Sequence, residues 1–124
     1  MSRTEIQAGF DEIIAFAEIG DFVDTPYKHL SSGMKVRIAF AVIARLEEPV
    51  ILVDEVLAVG DATFQKRCRN KFKEMKADGQ TVILVSHSMN TVKEMCDQVA
   101  WLDAGKLRQT GPAEAVIKAY SATV

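Results

Sequence analysis

Two short runs in this chain end in side chains that do phosphate chemistry. Ile51-Leu52-Val53 is an apolar run that ends in two adjacent carboxylates, Asp54 and Glu55. A carboxylate at the end of a strand can hold Mg²⁺ against phosphate oxygens, and a second carboxylate can deprotonate an attacking water. His87 follows the next apolar run, Thr81–Val85, and an imidazole can donate to a phosphate oxygen. Taken singly, the acidic pair also fits the start of a solvated loop, and His87 a surface residue.

A third polar motif, Leu30-Ser31-Ser32-Gly33-Met34, opens a long amphipathic stretch. Small residues with hydroxyls at a helix N-terminus leave backbone N–H groups free, and the helix dipole favours an anion there. An ordinary N-cap made by Ser31 or Ser32 fits the same letters. The motif on its own therefore leaves an anion site and a structural cap open.

The elements that must position these motifs alternate between helix and strand. Apolar spacing of three and four residues predicts helices, and continuous apolar runs predict strands buried on both faces. The predicted helices cover 3–18, with Gly20 after its end, 31–46, 61–77, 89–96 and 112–120. The predicted strands are Val50–Val53 and Thr81–Val85, followed by a hairpin of Gln98–Leu102 and Lys106–Gln109. This order is typical of an α/β fold with a parallel sheet and crossover helices.

Composition narrows the class of protein. The 124 residues are 48% hydrophobic and 26% charged, with a formal net charge of −2, which is typical of a globular domain without the basic stripe that nucleic acid requires. Cys68 and Cys96 are too few for a disulfide framework and are expected as free thiols. No apolar run approaches the ~18 residues of a membrane span, and residues 1–5 carry no signal-peptide pattern.

The order of the motifs carries a resemblance that no single motif carries. A Ser-Gly helix start, a strand ending in Asp-Glu, Gly60-Asp61 and a His one strand later resemble the signature motif, Walker B motif, D-loop and H-loop of ATP-binding-cassette (ABC) ATPases. The resemblance runs over essentially the whole chain. The runs Tyr27–Met34, Asp54–Gln65, Val85–Ser88 and Gly111–Tyr120 look like the ATPase subunit of exporters for O-antigen, teichoic acid and similar polysaccharides, as does Val56-Leu57 in place of the more general Pro-Thr.

This resemblance implies the fold and its subdivision. The chain is similar to the C-terminal half of a P-loop NTPase domain, with parallel strands, crossover helices and a C-terminal hairpin. Residues 1–46 would be part of the helical subdomain, ending in the signature helix. Residues 47–124 would be the second half of the RecA-like core, with the Walker B motif, D-loop and H-loop.

The resemblance also implies a role for each site residue. Asp54 would hold Mg²⁺, Glu55 would be the catalytic base and His87 would sense the γ-phosphate of ATP. Ser31, Ser32 and Gly33 would form the signature, in which Ser31 and Gly33 contact ATP held by a second ATPase subunit. Asp61 would link the two active sites of that nucleotide-sandwich dimer.

The implied partners are that second subunit and a transmembrane permease, with no nucleic acid. The chain would lie in the cytoplasm, at the inner face of the cytoplasmic membrane, held there by its partner.

One part of the ATPase machinery does not occur in these letters. No Gly-x-x-x-x-Gly-Lys-[Ser/Thr] phosphate loop is present. The chain therefore lacks the backbone N–H groups and the lysine that bind the phosphates of Mg-ATP. We therefore expect that this chain alone does not hydrolyse ATP, and that it exposes an apolar sheet edge and face. Two alternatives stay open: a non-catalytic interaction module derived from an ABC ATPase, and a chromosome-maintenance ATPase, which the acidic charge and the missing heptads disfavour.

Overall fold

A computed structural model describes residues 2–55 and 60–124. Within them lie six α-helices, four strands and two short 3₁₀ helices, Gly20–Phe22 and Tyr27–His29. The helices and strands are, in chain order, α1 (Arg3–Ala8), α2 (Phe10–Ala17), α3 (Ser32–Ile43), β1 (Val50–Asp54), α4 (Ala62–Ala77), β2 (Thr81–Val85), α5 (Met89–Met95), β3 (Gln98–Asp103), β4 (Lys106–Pro112) and α6 (Ala113–Thr123). Two compact units divide the chain, one of residues up to 51 together with 60–82, the other of 52–55 and 83–124. The subdomain boundary at 46/47 stays a prediction.

The first unit is built around aromatic contacts between α2, α3 and α4. Phe40 is fully buried and its ring centroid lies 5.1 Å from that of Phe72, in an edge-to-face arrangement. Phe16 and Phe64 pack on the same ring at 5.7 and 6.1 Å. Such ring pairs add to the hydrophobic burial that holds helices together. These contacts join α2, α3 and α4 in one core.

The predicted helix 3–18 is wrong as a single element, because it breaks at Gly9 into α1 and α2. Gly9 has φ −99° and ψ 5°, and a Cβ at this position would overlap the guanidinium of Arg45. The end of α2 agrees with the prediction to within one residue: the helix ends at Ala17, and Glu18 in the left-handed conformation (φ 56°) caps it ahead of Gly20.

The strands β1 and β2 form a two-stranded parallel sheet. The Thr81 N–H donates to the Pro49 oxygen at 2.8 Å, and the Glu55 N–H donates to the Val85 oxygen at 3.0 Å. Residue numbers therefore increase in the same direction along both strands. The prediction of burial on both faces is wrong. Ile51 and Val53 are buried, but Leu52 is 73% and Ile83 51% exposed, because the described residues cover the sheet on one face only.

The second unit ends in the predicted hairpin, which is longer than expected. Strands β3 and β4 pair antiparallel from Gln98 with Pro112 to Asp103 with Lys106. Helix α6 packs on the hairpin, where the Trp101 and Tyr120 rings meet edge to face at 5.5 Å. Pro112 is the N-cap residue of α6 rather than part of its first turn. No described helix, in residues 2–55 or 60–124, is long and apolar enough to cross a bilayer.

Candidate functional site

The ends of β1 and β2 bring two of the predicted site residues together. The Nε2 atom of His87 lies 3.2 Å from the Oε1 atom of Glu55. Both strands run in the same direction, so their carboxyl ends meet at one edge of the sheet, where α/β folds bind ligands. The pair joins a carboxylate that can accept a proton to an imidazole that can donate a hydrogen bond. Sequence order predicted this juxtaposition.

The backbone of Glu55 is strained. Its φ is +48°, in the left-handed region that residues other than Gly, Asn and Asp rarely adopt. The Glu55 N–H still closes the ladder with the Val85 oxygen, so the chain turns immediately after the strand ends. Strain of this kind costs on the order of 1–3 kcal/mol and clusters at functional sites. The turn directs the carboxylate to His87.

A short turn of serines presents His87. The Ser88 N–H donates to the Ser86 Oγ atom at 3.1 Å, and the Ser88 Oγ atom accepts from the Thr91 N–H at 3.3 Å as N-cap of α5. The His87 side chain is 92% exposed. The turn therefore holds the backbone of His87 in place, while the exposed imidazole can contact a ligand outside the chain.

Asp54 closes β1 directly before Glu55 and is exposed. Mg²⁺ in nucleotide sites is usually bound through one or two carboxylates together with substrate phosphates and water. Among the described residues no group of three or more acidic, His or Cys side chains is arranged to hold a metal. A single exposed carboxylate such as Asp54 could hold Mg²⁺ only together with further ligands.

The Ser-Ser-Gly motif lies in the first unit, at the start of α3. Ser31 is the N-cap residue, and its Oγ atom accepts from the Met34 N–H at 3.2 Å. Among the described residues, a Cβ built at Gly33 would meet only the Ser31 Oγ atom, at 4.0 Å. Since Gly33 has no positive φ, neither its conformation nor close packing requires glycine here. The position leaves room for a molecule to approach the backbone.

Asp61 is the N-cap residue of α4 and is also paired with a residue that the sequence reasoning missed. Its Oδ1 atom accepts from the Phe64 N–H at 2.8 Å, and its Oδ2 atom lies 3.1 Å from Arg37 of α3. The Phe64 N–H, and after it the Arg37 charge, hold the pKa of the Asp61 carboxyl below its usual value. Arg37 and Asp61 are 24 residues apart, and no local spacing could have indicated the pair.

The predicted site residues therefore fall into two groups. Asp54, Glu55 and His87 belong to the second unit, whereas Ser31–Gly33 and Asp61 belong to the first. The subfamily letters Val56-Leu57 lie outside the described residues. Each group has a defined local geometry.

No family model matches the chain, but curated proteins do. It is 42% identical over 120 residues to an O-antigen export system ATP-binding protein of Klebsiella pneumoniae, covering 97% of this chain and 49% of that protein. It is 43% identical to an O-antigen export system ATP-binding protein of Myxococcus xanthus, over 97% of this chain and 28% of that protein. It is 42% identical to the teichoic acids export ATP-binding protein of Levilactobacillus brevis, over 97% of this chain and 33% of that protein. The chain spans between about a quarter and a half of these relatives' length.

Solved structures agree on the fold. An ATP-binding subunit of an ABC transporter superposes with a TM-score of 0.83 at 21% identity, over 98% of this chain and 50% of that one. A dimeric ATP-binding cassette in a post-hydrolysis state, bound to ADP and Pi, superposes with a TM-score of 0.73 at 24% identity, over 91% of this chain and 49% of that one. The predicted α/β fold of an ABC ATPase domain is thereby confirmed.

Proposed function

We propose that the chain is a segment of an ABC ATPase and that it supplies the signature, Walker B and H-loop segment of a subunit that drives export of a cell-surface polysaccharide. The observation that carries the proposal is the 3.2 Å contact between Glu55 and His87 at the carboxyl edge of the sheet. The match to O-antigen and teichoic acid export proteins over 97% of the chain supports the substrate class.

Within this proposal each residue at the sheet edge has one task. Asp54 would hold Mg²⁺ together with the nucleotide phosphates, and the ion would supply positive charge that neutralises them. Glu55 accepts the proton of the water that attacks the γ-phosphate, a role for which a positioned carboxylate is suited. His87 donates a hydrogen bond to the γ-phosphate or to that water. The contact with Glu55 keeps the imidazole oriented.

The signature group completes a second nucleotide site. Ser31 and Gly33 contact the γ-phosphate of ATP held by a second ATPase subunit, through the hydroxyl and the N-terminal N–H groups of α3. The open space at Gly33 favours this close approach. A transmembrane permease is the partner that carries the polysaccharide, and the chain lies beside it at the cytoplasmic face of the membrane.

ATP hydrolysis requires a phosphate loop, which these 124 residues do not contain. We therefore expect the polypeptide by itself to release no phosphate from Mg-ATP above the buffer rate. Loop amides and the loop lysine must come from a sequence joined to this chain or from another subunit.

A segment exchange tests the proposal. Residues 2–124 replace the matching segment of the Klebsiella pneumoniae relative, giving a protein called here the chimera. We expect the chimera to hydrolyse Mg-ATP and to restore O-antigen export in cells that lack the relative. A folded chimera that binds ATP without hydrolysing it would overturn the proposal and favour a non-catalytic interaction module.

A further inference from the structure

Arg37 lies six positions after the N-cap Ser31 and joins two carboxylates from distant parts of the first unit. Its NH1 atom lies 3.0 Å from the Glu18 Oε2 atom, and its NH2 atom lies 3.1 Å from the Asp61 Oδ2 atom. Glu18 ends α2 and Asp61 begins α4. A single guanidinium therefore connects α3 with the ends of two other helices.

The Arg37 side chain is held from more than one side. It is 20% exposed, and its guanidinium carbon lies 4.9 Å from the centre of the Phe64 ring. The Glu18 carboxylate is also paired with Arg67, which donates to the Phe16 backbone oxygen at 3.1 Å. The guanidinium of an arginine is planar, with its N–H donors in fixed directions. When it has several fixed partners, it therefore determines the orientation of the carboxylates it binds as well as neutralising their charge.

We propose that Arg37 is a positioning residue, which holds the Asp61 carboxylate in register with the signature helix so that Ser31 and Asp61 act on the nucleotide as one body. The proposal rests on the proposed function, in which Ser31 contacts a nucleotide, and on the link between the two sites of a dimer that the family resemblance implies for Asp61. Asp61 uses one oxygen to cap α4 and the other to contact Arg37. A shift of α3 is therefore transmitted to the start of α4.

A role in stability alone does not account for this arrangement. The Asp61 and Glu18 side chains are 64% and 45% exposed, and ion pairs in water contribute little to folding. Lysine would keep the charge of Arg37 but cannot reach two carboxylates in one plane. Arg37→Lys therefore separates geometry from charge, and Asp61→Asn keeps a capping oxygen for the Phe64 N–H while losing the ion pair.

The first experiment uses the 124-residue chain and does not depend on ATP hydrolysis. In an NMR titration, Arg37→Met should raise the pKa of the Asp61 carboxyl, because a neighbouring positive charge is removed. Hydrogen exchange of the Phe64 amide should quicken in the same variant. An Asp61 titration and a Phe64 exchange rate that match the unmodified chain would overturn the proposal.

The second experiment measures ATP turnover of the chimera. Arg37→Lys and Asp61→Asn should each lower kcat about tenfold with KM for ATP nearly unchanged, and the double variant should be no slower than either. Arg108→Met, which removes an exposed ion pair with Asp103 in the hairpin, is the control and should leave kcat unchanged. Additive losses, or full activity of Arg37→Lys, would contradict the coupling. A chimera inactive before any substitution would refute the proposed function instead, and the NMR result would still decide whether Arg37 holds Asp61.

Discussion

The Glu55 carboxylate and the His87 imidazole, which follow different strands, lie 3.2 Å apart between Oε1 and Nε2. The contact depends on two local features. Parallel pairing of β1 and β2 brings both strand ends to one edge, and the positive φ of Glu55 turns its side chain at that edge. Because the two residues come from separate strands, their proximity reflects the fold, and it places a carboxylate beside a hydrogen-bond donor.

Replacing Gly33 by Ala should separate stability from activity. Alanine favours a helix over glycine by up to about 1 kcal/mol, and the added Cβ meets only the Ser31 Oγ atom at 4.0 Å. The free energy of unfolding of the chain, measured in urea, should therefore rise. In the chimera the same methyl group occupies the approach to the backbone, and ATP turnover should fall at least about tenfold.

Gly20→Ala provides the matched control for Gly33. A Cβ at Gly20 meets no atom of residues 2–55 or 60–124 within 4 Å, and Gly20 lies outside the signature. Its turnover in the chimera should equal that of the unmodified protein. If Gly33→Ala turned over ATP as fast as this control, the signature of this chain would not contact the nucleotide.

Removing the Phe40 ring should cost the first unit much of its stability. Phe40 is fully buried and contacts three other rings, so Phe40→Ala should lower the free energy of unfolding by roughly 3–5 kcal/mol. Phe10→Ala, at a ring that is 45% exposed, should cost far less. Equal losses in urea denaturation would mean that the aromatic cluster is not the core of this unit.

The exposed sheet face of the second unit should cause self-association of the chain. Leu52, Ile83 and Val85 are 73, 51 and 57% exposed, and an uncovered apolar sheet with a free edge invites contact between molecules. Sedimentation velocity should detect species larger than a monomer. Leu52→Lys should shift them towards monomer, whereas Leu102→Lys in the hairpin should not. A monomeric unmodified chain with a cooperative melt would contradict this expectation.

The two cysteines should differ in reactivity. Burial raises the pKa of the Cys68 thiol to about 12, and Cys96 is only partly buried. A thiol reagent at pH 8 should modify Cys96 in the folded chain and leave Cys68 in the Cys96→Ser variant unmodified until urea is added. Rapid modification of that variant without urea would show that α4 opens readily.

The raised pKa of Cys68 also predicts the direction of a pH effect. The folded state favours the neutral thiol, so its contribution to stability is complete below pH 9 and decreases between about pH 9 and 12 as the unfolded chain ionises first. Cys68→Ala should remove this part of the alkaline decline in the free energy of unfolding. A decline of the same size in both proteins would contradict it.

Local features of the fold were predictable from the sequence. Ser31, one of the two serines expected as the N-cap, caps α3, and the Asp103-Ala104-Gly105 letters indicated the β3–β4 turn. Each of these depends on residues within one or two turns of chain. The edge that joins Glu55 to His87 followed from strand order alone.

Features that depend on distant packing were not predictable. At the break, Gly9 packs against the guanidinium of the distant Arg45, and the Arg37 contacts with Glu18 and Asp61 span 19 and 24 residues. The apolar run around Leu52 predicted burial on both faces, because an apolar residue indicates which environment suits it and not what covers it. The exposed face was expected only from the missing phosphate-loop segment. Sequence periodicity carries no information on contacts between distant residues or on what covers a sheet face.

ATP turnover of the chimera with Glu55 replaced by Gln tests the central claim most directly. Glutamine keeps the size and hydrogen bonding of the side chain but accepts no proton, so kcat should fall by about 10²–10⁴ while ATP binding persists. A chimera that keeps its turnover after Glu55→Gln would contradict the assignment of Glu55 as the base, and with it the account of the sheet edge as the catalytic centre.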